Sequence, residues 1–302
     1  MNILVAGASG FIGRNLVEYL KTKHQVNPIS LREKNWEQQI HSPSVFINLI
    51  GKAHDHKKIA TKSDYDYVNL ELTKFLFQRF QDSEATLFIH ISSLAAVEEI
   101  GSSTIIDTNT TPNPISFYGK SKKAADDYLL KQSLATGKRL IILRPTMVHG
   151  PGDKGNLNLL INFVLKGIPY PLGAFDNKRS FLSIDNLCFI ISEILTKEIP
   201  NGVYYVSDDK PLSTTTIIKT IALVSKKKIR IFAFPKTLMI GLAKLGDFLR
   251  LPLNSSRLEK LTSNLIVSNK EIKDSLNLEN LPFTAKEGLV KTIGSFLSTK
   301  SP

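Results

Sequence analysis

The sequence predicts an α/β fold, a doubly wound parallel sheet carrying a smaller, discontinuous C-terminal lobe. Three observations predict it. Apolar, β-branched runs recur along the first two thirds of the chain with helix-patterned stretches between them. Glycines at three-residue spacing follow the first run immediately, at Gly7, Gly10 and Gly13. From Pro151 the texture changes, and Gly, Pro and Asn crowd the chain as far as Gly173.

In chain order, Ile3-Leu4-Val5 comes first, and a second strand ends in Val26-Asn27-Pro28-Ile29. Val45-Phe46-Ile47-Asn48-Leu49-Ile50, Leu87-Phe88-Ile89-His90-Ile91 and Leu140-Ile141-Ile142-Leu143 follow. These last runs are nearly all apolar instead of alternating, so they read as strands buried on both faces. Helical stretches at 14–20, 67–80 and 121–136 separate the strands. Such alternation argues for parallel strands joined by helical crossovers. The interval before Val45 is short, which predicts a missing strand or helix there. Val203-Tyr204-Tyr205-Val206 reads as one more strand of the same sheet. The expected division is a sheet domain of 1–150 and 180–207, and a lobe of 151–179 and 208–302.

Composition sets the outer bounds. The 302 residues are 42% hydrophobic and 22% charged, ordinary for a globular chain with a sizeable core. The net charge of +12, from 39 basic and 27 acidic residues, suits an anionic ligand, a nucleic acid or an acidic membrane surface. Runs such as Lys226-Lys227-Lys228 serve equally well to solvate a surface. No nucleic-acid-binding module is recognisable, so no such partner is expected. Cys188, the lone cysteine, forms no internal disulfide, and a cytoplasmic location is expected. It stands in the apolar run Leu187-Cys188-Phe189-Ile190-Ile191, which suits a buried structural thiol. The opening strand-like run reads without a secretory leader. No apolar stretch reaches the roughly 18 residues of a membrane-spanning helix. The segment 238–253 is the most lipid-like, but Lys244, Asp247 and Arg250 interrupt it. It reads as an amphipathic helix packed on protein, with membrane contact the lesser alternative.

Gly7-Ala8-Ser9-Gly10-Phe11-Ile12-Gly13 lies between a strand and a helix. Glycines there allow a tight turn, close approach to a pyrophosphate, and close packing of helix on strand. The helix start offers unpaired N–H groups and the positive end of a dipole to phosphate. A dinucleotide is the expected ligand, with Gly7, Gly10, Phe11, Ile12 and Gly13 around it. An NAD-specific site has an acid about 20 residues on, at the end of the second strand. Here Ser30 and Arg32 stand in that region, and the first acid is Glu33. NADP is therefore the favoured cofactor, with its 2′-phosphate on Ser30 and Arg32, and NAD the alternative.

Tyr118 and Lys122 stand four apart, on one face of a helix. A phenol near its reference pKa of about 10 is a poor acid–base catalyst at neutral pH. A neighbouring ammonium favours phenolate and lowers that value. The pair lies downstream of the glycine turn and of Ser92-Ser93, where a strand ends.

Together these residues resemble the extended short-chain dehydrogenase/reductase family, in its nucleotide-sugar epimerase/dehydratase branch, whose sheet domain is of the Rossmann type. Asn69 in Tyr67-Val68-Asn69 looks like the family's structural asparagine. Arg144-Pro145-Thr146-Met147-Val148-His149-Gly150-Pro151-Gly152 is similar to the family's segment beside the nicotinamide, with His149 replacing the common tyrosine. The resemblance implies that Pro145 and Val148 touch the cofactor, and that Lys122 holds a ribose hydroxyl. It also implies that Asn156, Arg179 and Arg257 hold the diphosphate of a sugar nucleotide, a task that suits the guanidinium fork. A homodimer through helix faces is the family's assembly, and no metal is expected.

One departure bears on the reaction. The family's catalytic Ser or Thr stands three positions before the valine of its serine stretch. In Ser92-Ser93-Leu94-Ala95-Ala96-Val97 that position holds Leu94, which donates no hydrogen bond. Either Ser93 serves instead, or Tyr118 acts alone. Reductases of 4-keto sugars that resemble this chain also carry an aliphatic residue there. The resemblance implies reduction of a 4-keto nucleotide sugar. The alternative is an NAD-dependent 4-epimerase of the UDP-glucose or UDP-N-acetylglucosamine type.

Overall fold

The computed structural model describes residues 1–53, 59–153, 155, 157–249 and 254–298. All six runs that read as strands in the sequence enter one parallel sheet. Next to one edge, β1 (Asn2–Ala6) pairs with β2 (Gln25–Ile29) on one side and β3 (Val45–Asn48) on the other. Beyond β3 come β4 (Leu87–Ile91), β5 (Arg139–Pro145) and, as the far edge, β8 (Gly202–Val206). Pro28 has no N–H to give a ladder and is tolerated because β2 is an edge strand. Only a 3₁₀ turn at Trp36–Gln39 lies between β2 and β3, so the sheet stops at β2.

Because successive strand residues point to opposite faces, each strand feeds two cores. Ile3, Val5, Ile47, Ile89 and Ile141 face one core, shared with α1 (Phe11–Leu20) and α6 (Ile184–Thr196). Leu4, Phe46, Phe88 and Ile142 face the other. It is covered by α2 (Lys62–Asp66), a π-helical turn at Tyr67–Glu71, α3 (Leu72–Gln81) and α4 (Phe117–Leu130). Phe77, Phe80, Phe46 and Phe88 form an aromatic knot there, with ring centroids as close as 5.2 Å. Cys188 is buried in the first core, and burial pushes its thiol up to about 12, which makes it inert.

Beyond β5 the chain forms a small parallel ribbon of β6 (Met147–His149) and β7 (Phe181–Ser183). A separate apolar cluster then joins α5 (Leu157–Leu165), α7 (Thr214–Val224), α8 (Lys236–Leu249), α9 (Ser255–Thr262) and α11 (Ala285–Ser298). Between the last two, α10 (Lys270–Leu276) returns to the sheet domain. Ile272, Leu276 and Leu281 lie in the first core, so this segment packs on the sheet and not in the lobe, where the division at 208–302 puts it. The segment read as an amphipathic helix against protein is also different: α8 buries only Met239, Ala243 and Gly246.

Candidate active site

The glycine turn is a cradle that side chains would fill. Gly7 has φ +85°, and a Cβ there would lie 2.8 Å from the carbonyl carbon of Leu49. A Cβ on Gly13 would lie 2.5 Å from the Gly7 oxygen. Gly10 caps α1 without a side-chain bond, and the first turn carries no acid. Its N–H groups are therefore available to an anion. Phe11 and Ile12 pack on the core below. Ala6 and Ile29 are partners in the β1–β2 ladder, so Ser30 and the exposed Arg32 follow the strand end that neighbours the glycine turn. Glu33 accepts from Gln39 Nε2 at 2.6 Å. A dinucleotide fits this cradle.

Helix α4 is pinned at its start. Ser116 accepts from the Gly119 N–H at 3.0 Å. One oxygen of Glu99 accepts from the Ile115 and Ser116 N–H groups and from the Ser116 hydroxyl. A Cβ on Gly119 would come within 2.3 Å of the Ala95 carbonyl oxygen, so only glycine lets α4 press against the 3₁₀ turn Leu94–Ala96. The helix thus begins four residues earlier than the sequence pattern places it, and Tyr118 lies inside its first turn. There the phenol lies close enough to the Ser93 side chain for it to lower the phenol's pKa. Ser93 follows β4 with extended backbone (φ −161°, ψ 150°), and its hydroxyl accepts from the Ala95 N–H. Leu94, by contrast, is buried among Val97, Ile106, Tyr205, Leu265 and Val267.

One turn on, Lys122 is 3% exposed. Its ammonium donates to the carbonyls of Ile91 at 2.9 Å and Ile50 at 3.2 Å. Asn69 sits in the π-helical turn, fully buried. It accepts from the Lys52 N–H and donates to the Ser121 hydroxyl at 2.8 Å, so it ties the loop after β3 to α4.

The electrostatics differ from the sequence expectation. Burial raises the Tyr118 phenol, the Ser93 side chain opposes this, and the charges of Asp126 and Glu99 add to it. Burial lowers Lys122 itself to about 8, with Asp126 pulling back. The phenol therefore stays protonated at neutral pH.

Sequence reasoning missed a buried polar network beneath this pair. Arg144 Nε donates to Asp126 at 2.8 Å and its Nη1 to the Tyr205 hydroxyl at 3.2 Å. His90 Nε2 lies 3.8 Å from the other Asp126 oxygen. Asn48 Nδ2 stands 3.1 Å from His90 Nδ1 and donates to Thr73, which assigns the ring proton to Nε2, on the Asp126 side. Burial, then the Lys122 charge, holds His90 well below its ordinary value. Ser92 is buried close enough to Asp126 to lower its pKa, though without standard hydrogen-bond geometry. One signal was legible: Asp126 stands one turn beyond Lys122, on the same helix face.

Other expected residues divide. Pro145 ends β5 against Val206, and Val148 lies in β6, packed on the first core. His149 is a packing residue: it is 1% exposed, bonds Thr292 at 2.9 Å, and is lowered to about 4 by burial. Arg179 gives Nη1 to the Ile100 carbonyl and to Ser263, so the protein itself engages one end of its fork. Arg257 is exposed in the first turn of α9. Asn156 lies outside the described residues. Among the described residues, no group of three or more His, Cys, Asp or Glu could hold a metal ion.

Residues 3–207 match the NAD dependent epimerase/dehydratase family. The chain is 31% identical to the UDP-glucose 4-epimerase of Vibrio cholerae over 327 residues, which covers 99% of this chain and 97% of that protein. It superposes on RMD from Pseudomonas aeruginosa, complexed with NADPH, with a TM-score of 0.76 at 20% identity, covering 99% and 100% of the two chains. It superposes on MoeE5, in complex with UDP-glucose and NAD, with a TM-score of 0.78 at 18% identity and full coverage of both chains. At those identities the superpositions carry the fold alone.

Proposed function

The chain belongs to the NAD dependent epimerase/dehydratase family, and from that premise we propose that it reduces the 4-keto group of a nucleotide-linked hexose with NADPH. The observation that carries this reading is the Tyr118 phenol. It is kept protonated by burial, beside Ser93 and one turn from a buried lysine, and reduction needs a proton donor at the start. Gly7, Gly10, Gly13 and the start of α1 would hold the dinucleotide, and Ser30 and Arg32 its 2′-phosphate. A dinucleotide bound there would supply the hydride for the sugar carbon. Tyr118 delivers the proton to the sugar oxygen, Lys122 places positive charge beside the phenolate left behind, and Ser93 donates a hydrogen bond to the same sugar oxygen. The partner is a nucleotide sugar; the superposed MoeE5 complex holds one.

A second reading, 4-epimerisation with retained NAD, is favoured by the full-length likeness to a UDP-glucose 4-epimerase. Mass spectrometry of the nucleotide released on denaturation separates them. Stoichiometric NAD supports epimerisation. An empty or NADP-bound protein that oxidises NADPH with a UDP-4-keto-hexose supports reduction.

Two substitutions test the parts. NADP is expected to bind more tightly than NAD, and Arg32→Ala to erase the preference. A charge-assisted bond of about 1.5–3 kcal/mol corresponds to roughly ten- to hundredfold in affinity. An unchanged ratio in fluorescence titrations would remove Arg32 from the site. Ser93→Ala is expected to lower kcat by about 10²–10³-fold, as loss of an oxyanion donor does, and Ser92→Ala far less. If Ser93→Ala keeps full activity while Leu94→Ser raises it, the donor has been lost in this chain and Tyr118 acts alone.

A further inference from the structure

Helix α8 is an odd element for a globular lobe. Of its residues only Met239, Ala243 and Gly246 are buried, at i, i+4 and i+7, a narrow strip of mostly small side chains set on the lobe core. Beside that strip Leu238, Leu242, Leu245 and Leu249 repeat at i, i+4, i+7 and i+11, a single helix stripe. They are 49%, 44%, 51% and 52% exposed, and Phe248 beside them is 84% exposed. Phe232 and Phe234, just before the helix, extend the apolar surface at 43% and 41% exposure. Scattered apolar residues on a surface need no explanation, but a continuous stripe of this kind marks an interaction site.

Charge says what covers it. Between residues 226 and 249 the basic residues are Lys226, Lys227, Lys228, Arg230, Lys236 and Lys244, against Asp247 alone. All of these basic residues are exposed. The carboxylate of Asp247 is turned to α9, where it accepts from the Ser255 N–H and hydroxyl. The whole chain adds a net charge of +12. A leucine and phenylalanine stripe flanked by lysines is the composition of a helix lying in a membrane interface, with the lysine stems reaching to the headgroups. At its 14 residues the helix is about 21 Å long. It is too short to span a bilayer, which takes roughly 20 residues, and no described helix is long and apolar enough to cross one.

We propose that α8, with the basic segment before it, docks the chain on an anionic lipid surface. The apolar stripe enters the headgroup boundary and the lysines meet the lipid phosphates. This goes beyond the proposed reaction and does not depend on it.

Cosedimentation of the full chain with large vesicles tests it. Binding is expected to vesicles containing phosphatidylglycerol, to weaken by at least about tenfold on phosphatidylcholine alone, and to weaken as salt is raised. Leu245→Ser with Phe248→Ser is expected to abolish binding. Because both side chains face outward, the melting temperature and any turnover of a water-soluble sugar nucleotide stay at wild-type values. Lys226→Glu with Lys228→Glu is expected to weaken binding without touching the stripe. Failure to bind anionic vesicles at low salt overturns the proposal, as does binding that the Leu245/Phe248 variant retains. Sedimentation velocity supplies the other overturning outcome: a wild-type dimer that this variant splits, with no vesicle binding, assigns the stripe to a second copy of the chain.

Discussion

Tyr118→Phe is expected to cut turnover by roughly 10²–10⁴-fold, the range for a lost general acid–base, while folding and dinucleotide affinity stay near wild type. The hydroxyl lies beside Ser93, and Ser93 keeps its bond to the Ala95 N–H in the variant, so the turn beneath is preserved. The ring still fills its place at the start of α4. Steady-state kinetics beside a thermal melt decide the matter, and near-normal turnover on the true substrate removes Tyr118 from the mechanism. The pH profile of the parent carries a companion signature. Lys122 titrates at about 8 in the fold against an ordinary 10.5, so kcat/KM is expected to fall as pH rises past about 8, when the ammonium is lost. Stability moves the other way. Between about 8 and 10.5 the unfolded chain holds a proton that the folded chain has released, so this group makes the protein more stable as pH rises through that window.

The second large effect is on stability. Arg144→Met is expected to cost about 3–5 kcal/mol, as breaking a buried ion pair by removing one partner does. Asp126 is fully buried. Burial pushes its carboxyl up, and the Arg144 charge is the first force opposing this. Burial also works against the Arg144 cation, and the Asp126 charge and bond more than offset it, so the arginine stays charged. Removing the guanidinium strands the carboxylate beside a neutral His90. Urea denaturation measures the loss. Arg144→Met combined with Asp126→Leu is expected to recover most of it, because no unpaired charge is then left in the core. A single-variant cost below about 1 kcal/mol would show that water already reaches the pair.

Much of the fold was legible in the residues taken in order. Strand runs such as Leu87–Ile91 are apolar at every position because both faces of a central parallel strand are covered. That pattern is written locally. So is the glycine turn, since the clash that excludes a side chain at Gly13 comes from Gly7 and Ala8, only a few residues away. Tyr118 and Lys122 were legible for a similar reason, as neighbours on one helix.

Contacts a few residues apart thus settle the parallel sheet, the glycine cradle and the helix face that bears the tyrosine and lysine. The remainder depends on segments that meet only when the whole chain has folded. His90, Asp126, Arg144 and Tyr205 come from β4, α4, β5 and β8, and each alone reads as an ordinary polar residue. Ser93 instead of Leu94 meets Tyr118 because Gly119 lets the helix close on that turn. Arg179 and α10 depend on which surfaces later segments cover. The apolar pattern of α8 showed that it has a face to bury, but exposure of that face depends on whether the lobe is wide enough to cover it. It covers only Met239, Ala243 and Gly246, and no local rule of spacing records the extent of a neighbouring surface.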